Sequence, residues 1–139
     1  MERVTLPGNL DALDPIGKAV MQAAQDAGLE KKAAYRLRLA VDEIATNAIV
    51  HGYEEKGLSG NLYMQVELTP AALTIMLEDE GQRFDPRTLP PPAHKDLPIA
   101  ERPIGGLGVY LTLKGVDEFR YERAGQLNRN IFIMKRKEG

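Results

Sequence analysis

Polar side chains recur at four-residue intervals along one predicted helix, as Glu43, Asn47 and His51. Side chains four residues apart lie one above the other on a helix surface, so these three form a row. A solvated polar face would explain the row, although Asn is unfavourable inside a helix because its side chain competes for backbone hydrogen bonds. An Asn oxygen is useful if it coordinates Mg²⁺, which takes oxygen ligands and shares them with phosphates. We predict a structural role for His51.

A carboxylate continues the apolar side of a predicted strand. Leu73, Ile75 and Leu77 alternate with polar residues, and Asp79 is next in the same register. If the strand ends at Glu78, Asp79 turns into solvent. If the strand continues, Asp79 is buried and needs a partner, because an isolated buried carboxylate is costly. In that case it would accept a hydrogen bond from an amine such as the exocyclic amine of adenine.

Glycines are concentrated at two further places. Gly81 follows Asp79 closely and would let the backbone approach a flat ring. Gly105, Gly106 and Gly108 precede a predicted short helix that ends near Lys114. Free N–H groups at a helix start bind phosphate, whereas a mobile hinge is the alternative explanation for such a cluster. This glycine segment is not a Walker A loop. It also differs from a dinucleotide-binding motif, because no predicted strand leads directly into the glycines.

The elements that must position these residues follow from periodicity and turn residues. The pattern predicts one α+β domain over residues 1–139, with a mostly antiparallel sheet and helices on one face. Between Glu80 and Gly105 the periodicity disappears, and six of the nine prolines lie there, as expected for a functional loop such as a lid. The predicted strands lie near Val4–Leu6, 62–68, 73–79, 118–123 and 128–135. The first predicted helix has Asp14 as its N-cap and Pro15 as its first residue, and it ends at Gly28. The second runs from Glu30 to about His51 and is ended by Gly52.

The composition limits the class of protein. The chain has 139 residues, no cysteine, two histidines and a formal net charge of −2. Without a basic surplus, we expect neither a nucleic-acid nor a membrane partner. The lack of cysteine excludes disulfides and thiol catalysis, and two histidines make a His-rich metal site unexpected. The first residues do not resemble a signal peptide, so a cytoplasmic location is expected.

Taken together, the motifs resemble those of a known family. The spacing Glu43-x-x-x-Asn47-x-x-x-His51-Gly52 resembles the N box of the GHKL ATPases. The Asp79-Glu80-Gly81 segment resembles their first glycine box, and Gly105-Gly106-Leu107-Gly108 resembles their second. Within that family, the length and the sequence after Gly105 are similar to those of the anti-sigma-factor serine kinases. The resemblance implies a Bergerat-type two-layer α/β sandwich with an ATP lid at about residues 80–105.

The resemblance also implies a role for each matching residue. Asn47 would bind Mg²⁺, and Asp79 would accept a hydrogen bond from the adenine amine. Glu43 would be the catalytic general base, taking the proton of a serine or threonine hydroxyl. The remaining nucleotide contacts would come from Gly81 beside the base and from the second box around the phosphates: Gly105, Gly106, Leu107 and Gly108.

The implied function is that of an ATP- and Mg²⁺-dependent serine/threonine-protein kinase. Its substrate would be a STAS-type anti-sigma-factor antagonist, and the protein would also hold a sigma factor inactive. Members of the family are commonly homodimers, although the sequence shows no exposed apolar seam for one. Arg83 departs from the family pattern, in which a second glycine is common; it would contact phosphate or lid, or partly block the site. Arg102 would be a phosphate contact or an exposed lid charge.

Two other functions remain open at this point. In the first, nucleotide only sets the affinity of a protein-binding regulator, without any transfer. In the second, the chain is the ATP-binding domain of a two-component-like kinase. The second is disfavoured because no phosphoacceptor-histidine helix is present, and neither His51 nor His94 is suitably placed.

Overall fold

Two helices lie against one face of a five-stranded antiparallel sheet in the computed structural model. The structure describes residues 3–54, 57–88 and 113–136. The helices are α1 (Leu13–Asp26) and α2 (Lys31–Asn47). The strands are β1 (Val4–Pro7), β2 (Asn61–Leu68), β3 (Ala72–Asp79), β4 (Glu118–Ala124) and β5 (Leu127–Lys135). The predicted α+β class and helix-on-sheet architecture are confirmed.

The sheet has the order β1-β2-β3-β5-β4, and its four pairings are all antiparallel. Because side chains alternate between the faces of a strand, one face of β3 carries Leu73, Ile75 and Leu77, which are all fully buried. On the facing strand β5, Phe132 and Met134 continue this core. The alternation read from the sequence therefore identified the buried face correctly.

Helix α1 begins at Leu13, two residues earlier than predicted. A short 3₁₀ turn (Leu10–Ala12) precedes it, and the side chain of Asn9 caps that turn by accepting from the Asp11 N–H. The prediction of Asp14 as N-cap is wrong, because the 3₁₀ turn already leads the chain into the helix. The prediction for the other end is confirmed, since Gly28 follows the helix with a φ of +74°, which glycine adopts without strain.

Helix α2 does not end at Gly52. After Asn47 the helical path widens into a π-helical segment, Ala48–Glu54, which passes through the glycine. The reason is tertiary, because Ile49 and Tyr53 on this segment are buried against the sheet layer and hold it in place. Segments of π-helix are rare and are often found at functional sites.

The predicted lid is described only at its start. A short 3₁₀ turn (Pro86–Thr88) lies in it, while residues 89–112 fall outside the described residues. The short helix predicted after Gly105 therefore stays a prediction. Among the helices that are described, none combines the length and apolar character needed to cross a membrane.

Candidate functional site

Asp79 is a buried carboxylate at the end of the central strand β3. The strand continues through it, and only 6% of the residue is exposed, so it does not turn into solvent. Its Oδ1 accepts two hydrogen bonds of 2.9 Å, from Asn128 Nδ2 and from the Gly81 N–H. Within the described parts of the chain, no group donates to its Oδ2. The fold thus fixes one of the two carboxylate oxygens.

Burial raises the pKa of Asp79, and the hydrogen bonds from Asn128 and Gly81 oppose that rise. The nearby Arg123 also lowers the pKa, although less than the two hydrogen bonds do. The positive charge and the donors therefore compensate part of the cost of burying this carboxylate.

Asn128, on β5 directly opposite Asp79, organises the chain that follows β3. Its Nδ2 also donates to the Gln82 carbonyl at 2.8 Å, and its Oδ1 accepts from the Phe84 N–H at 3.1 Å. Arg123 donates to the Gly81 carbonyl at 2.9 Å. The backbone of residues 81–84 is consequently held at several points against the ends of β4 and β5.

Gly81 permits one close approach, to the side chain of Asp79. A Cβ at this position would lie 2.9 Å from Asp79 Oδ1, which is too close for an ordinary contact. The same Cβ would be 3.8 Å from the Cα and carbonyl oxygen of Gly52. The end of β3 therefore meets the π-helical extension of α2, and a side chain at 81 would disturb the Asp79 carboxylate.

Tyr53 fastens this junction between the helical layer and the sheet. Its hydroxyl donates to the Asn61 carbonyl at 2.8 Å and accepts from the Glu80 N–H at 2.7 Å. Its ring lies against Gly8 and Gly60, where a Cβ would overlap it. Burial raises the pKa of Tyr53 to about 12, so the hydroxyl keeps its proton and can donate throughout the neutral range.

Glu43 and Asn47 lie one turn apart on α2, and both are partly buried. Asn47 ends the helix and precedes Gly52 by five residues, the hydrogen-bonding interval of a π turn. Asn47 is thus one turn away from Gly52, whose backbone a Cβ at Gly81 would reach at 3.8 Å. Neither side chain has a hydrogen-bond partner among the described residues.

The electrostatic surroundings of Glu43 favour proton uptake. Burial raises its pKa, and the charge of the neighbouring Asp42 raises it further, whereas His51 lowers it. A partly desolvated carboxylate without a hydrogen bond is a better base than a fully hydrated one.

The remaining predicted residues are placed only in part. Arg83 is exposed; the pKa of Asp85 is lowered mainly by the hydrogen bonds from Arg87, and the charge of Arg83 lowers it further. The second glycine box, Arg102 and His94 lie outside the described residues. In the described part of the chain, no three His, Cys, Asp or Glu side chains form a metal-binding group. The predicted Mg²⁺ site does not require such a group, since it uses one Asn oxygen together with phosphate oxygens.

The comparison with protein families decides the assignment. Residues 6–135 match the model of the histidine kinase-like ATPase domain. The chain belongs to this family. A solved structure of the histidine kinase domain of the blue-light activated histidine kinase from Erythrobacter litoralis EL346 has the same fold, with a TM-score of 0.54 at 17% identity. That similarity covers 88% of this chain and 59% of the solved chain.

Within the family, the chain is similar to proteins named serine-protein kinase RsbW. The protein from Staphylococcus aureus strain MRSA252 is 34% identical over 92 residues, which cover 63% of this chain and 58% of that protein. The protein from strain Newman is 33% identical over the same span. The match thus spans under two thirds of the length of these relatives. The predicted resemblance to anti-sigma-factor serine kinases is confirmed at the level of the family.

Sequence reasoning missed Asn128, Arg123 and Tyr53. A usable signal was present for the first, because Asn128 and Asn130 occupy the core-facing side of β5, where the alternation calls for apolar residues. Tyr53 gave no such signal, since its hydrogen bonds depend on where the end of α2 meets β3.

Proposed function

We propose that the protein is an ATP-dependent serine/threonine-protein kinase that phosphorylates a STAS-type anti-sigma-factor antagonist and binds a sigma factor. The observation that carries the proposal is that the end of strand β3 lies next to the end of helix α2. Asp79, a buried carboxylate whose Oδ2 has no donor among the described residues, lies beside Gly81, and a Cβ at Gly81 would reach the backbone of Gly52, five residues after Asn47. The names of the relatives support a serine substrate.

In this proposal each described residue has one task. Asp79 Oδ2 accepts a hydrogen bond from the adenine amine, and the bare backbone at Gly81 allows the ring to approach. The Asn47 carboxamide oxygen would hold Mg²⁺, which would neutralise phosphate charge. Glu43 takes the proton of the substrate hydroxyl as its oxygen bonds to the γ-phosphorus, and ADP leaves with the electrons of the broken P–O bond.

The first test is titration of the nucleotide-free protein with ATP in a calorimeter, with and without Mg²⁺. Asp79→Asn should weaken binding about ten- to a hundredfold, because its one carboxamide oxygen accepts from Asn128 and Gly81, and its NH₂ group cannot accept a hydrogen bond from the adenine amine. Asn47→Ala should remove the dependence of affinity on Mg²⁺. If the wild-type protein binds no adenine nucleotide, the proposal is wrong.

The second test separates binding from transfer. Glu43→Gln keeps the shape of the side chain but removes the base, so it should bind ATP normally and lower the rate of phosphate transfer to a STAS-type protein at least a hundredfold. Glu67→Gln, an exposed carboxylate on β2, is the matched control and should leave the transfer rate unchanged. Tight binding of ATP and partner without any transfer would instead indicate the nucleotide-gated regulator.

A further inference from the structure

The first half of α2 has an exposed surface that is both basic and apolar. Successive helical residues are about 100° apart around the axis, so its five members fall within an arc of about 140°: Lys31, Lys32, Tyr35, Arg36 and Leu39. We call these residues the basic face. Tyr35 is 58% and Leu39 42% exposed, and no ion pair among the described residues involves the three cations. Four of the five side chains line an open concavity of about 420 Å³: Lys31, Lys32, Tyr35 and Arg36.

The stability of the helix does not explain these charges. A helix N-terminus carries partial positive charge, so Lys31 and Lys32 are unfavourable there, and the first turn has no acidic residue that would compensate them. Residues 31–41 contain four cations and no carboxylate, although the net charge of the chain is −2. Cations that are collected on one face with exposed apolar side chains indicate contact with an acidic partner, because interfaces pair opposite charges around apolar contacts.

The carboxylates that follow on α2 favour a protein as the partner over a nucleic acid or a membrane. Asp42 and Glu43 come about one turn after Leu39 and lie within the same arc of the helix. They would repel the phosphate groups of a nucleic acid or of an anionic lipid surface that extended along the helix. A peptide segment can place carboxylates opposite the three cations and an apolar side chain opposite Leu39, and it needs no negative charge beyond that point.

We propose that the basic face binds an acidic segment of the protein that receives the phosphate. At a rise of 1.5 Å per residue, Leu39 lies about 6 Å and Lys32 about 17 Å from Glu43 along the helix axis. A protein–protein interface of ordinary size buries about 800 Å² on each partner, which is a disc of about 16 Å radius. An interface of this size around Glu43 therefore reaches the basic face along α2. The inference rests on the proposed kinase function and adds the surface and the charge that hold the phosphoacceptor.

The experiment measures phosphate transfer to a STAS-type protein whose concentration is varied. The charge-reversed variant of the full chain combines Lys31→Glu and Lys32→Glu. Its KM for the STAS-type protein should be about tenfold higher than that of the wild type or more, because two attractions become repulsions. Its kcat and its affinity for ATP should be unchanged, since the substitutions leave Glu43 and the proposed nucleotide-binding residues as they are.

The matched control makes the same change in net charge on the sheet. It combines Arg120→Glu on β4 with Lys135→Glu on β5, both of which are exposed. Its KM should stay within about twofold of the wild-type value, because a change in overall charge acts more weakly than a change at the contact surface. Added salt should raise the KM of the wild type and of the control, since salt screens exposed charges, but it should not raise that of the charge-reversed variant.

Urea unfolding separates a lost contact from a damaged fold. Glutamate is favourable and lysine unfavourable in the first turn of a helix, so the charge-reversed variant should unfold at the same urea concentration as the wild type or at a higher one. A variant that is at least as stable as the wild type and has a raised KM has lost a contact with its partner.

An unchanged KM of the charge-reversed variant would overturn the docking surface and leave the proposed kinase function standing. Loss of binding to duplex DNA or to anionic vesicles at an unchanged KM would overturn it as well, because the face would then serve another class of ligand. An equal rise of KM in the control would reduce the effect to overall charge, with the same consequence. If the wild type transfers no phosphate to any STAS-type protein, the proposed function is wrong, and this inference fails with it.

Discussion

At the residue scale, the protonation of Asp79 links its burial to the stability of the free protein. Burial raises the pKa of Asp79 in the folded state above the usual value of an aspartate. Between the unfolded and folded pKa values, the folded protein binds more protons than the unfolded chain, so its free energy of unfolding falls as the pH rises. An Asn at this position cannot titrate but can still accept from Asn128 and Gly81. We therefore expect the free energy of unfolding of the wild type, minus that of Asp79→Asn, to decrease from about pH 4 upward and then to level off.

Urea unfolding across this pH range measures the effect. Glu80 supplies a control of opposite sign, because its hydrogen bond from Tyr63 and that from the Asn61 N–H lower its pKa. Its stabilisation is present above its unfolded pKa and is lost as the pH falls, so the difference between wild type and Glu80→Gln should increase with pH. A constant difference for Asp79→Asn would contradict the assignment of a destabilising buried charge to this residue.

At the scale of elements, Tyr53 joins the π-helical end of α2 to the ends of β2 and β3. Tyr53→Phe removes the hydroxyl and leaves the Glu80 N–H and the Asn61 carbonyl without their partner. The expected loss of stability is about 1–3 kcal/mol, because two partly buried hydrogen bonds of about 0.5–1.5 kcal/mol each are lost. ATP affinity should fall as well, because the junction next to Gly81 becomes less well fixed. Urea unfolding and calorimetry measure the two effects.

Tyr35→Phe is the matched control for that change. Tyr35 lies on the same helical layer but is 58% exposed, so loss of its hydroxyl should alter the free energy of unfolding by less than about 0.5 kcal/mol. Equal effects of the two substitutions would show that the Tyr53 hydroxyl does not join the layers.

Some of these elements could be predicted from the sequence, and others could not. Period-2 alternation identified β2 and β3 and the core side of Leu73, Ile75 and Leu77, since burial of one sheet face is a local property of the sequence. The path of α2 beyond Gly52 was missed because it depends on the burial of Tyr53 under tertiary contacts. The contact between Asp79 and Asn128 joins residues far apart in sequence, so it follows only from the strand register.

At the scale of the whole molecule, the proposed ligand lies where both layers end, so binding must stabilise the entire fold. The helical layer contributes Glu43 and Asn47, the sheet contributes Asp79, and Tyr53 connects the two. A ligand that binds only the folded state at a hundred times its dissociation constant adds about 2.7 kcal/mol to the free energy of unfolding. For a domain of this length, that corresponds to a rise in melting temperature of roughly 10 °C.

Thermal unfolding with increasing ATP and Mg²⁺ tests this expectation. The melting temperature should rise in proportion to the logarithm of ATP concentration above the dissociation constant, because the stabilisation is RT ln(1 + [L]/Kd). For Asp79→Asn the same curve should be displaced to about ten- to a hundredfold higher ATP, by the loss of the charge-assisted hydrogen bond. A variant that only damaged the fold would lower the melting temperature at every ATP concentration without displacing the curve. An unchanged wild-type melting temperature at millimolar ATP would contradict a nucleotide site shared by the two layers.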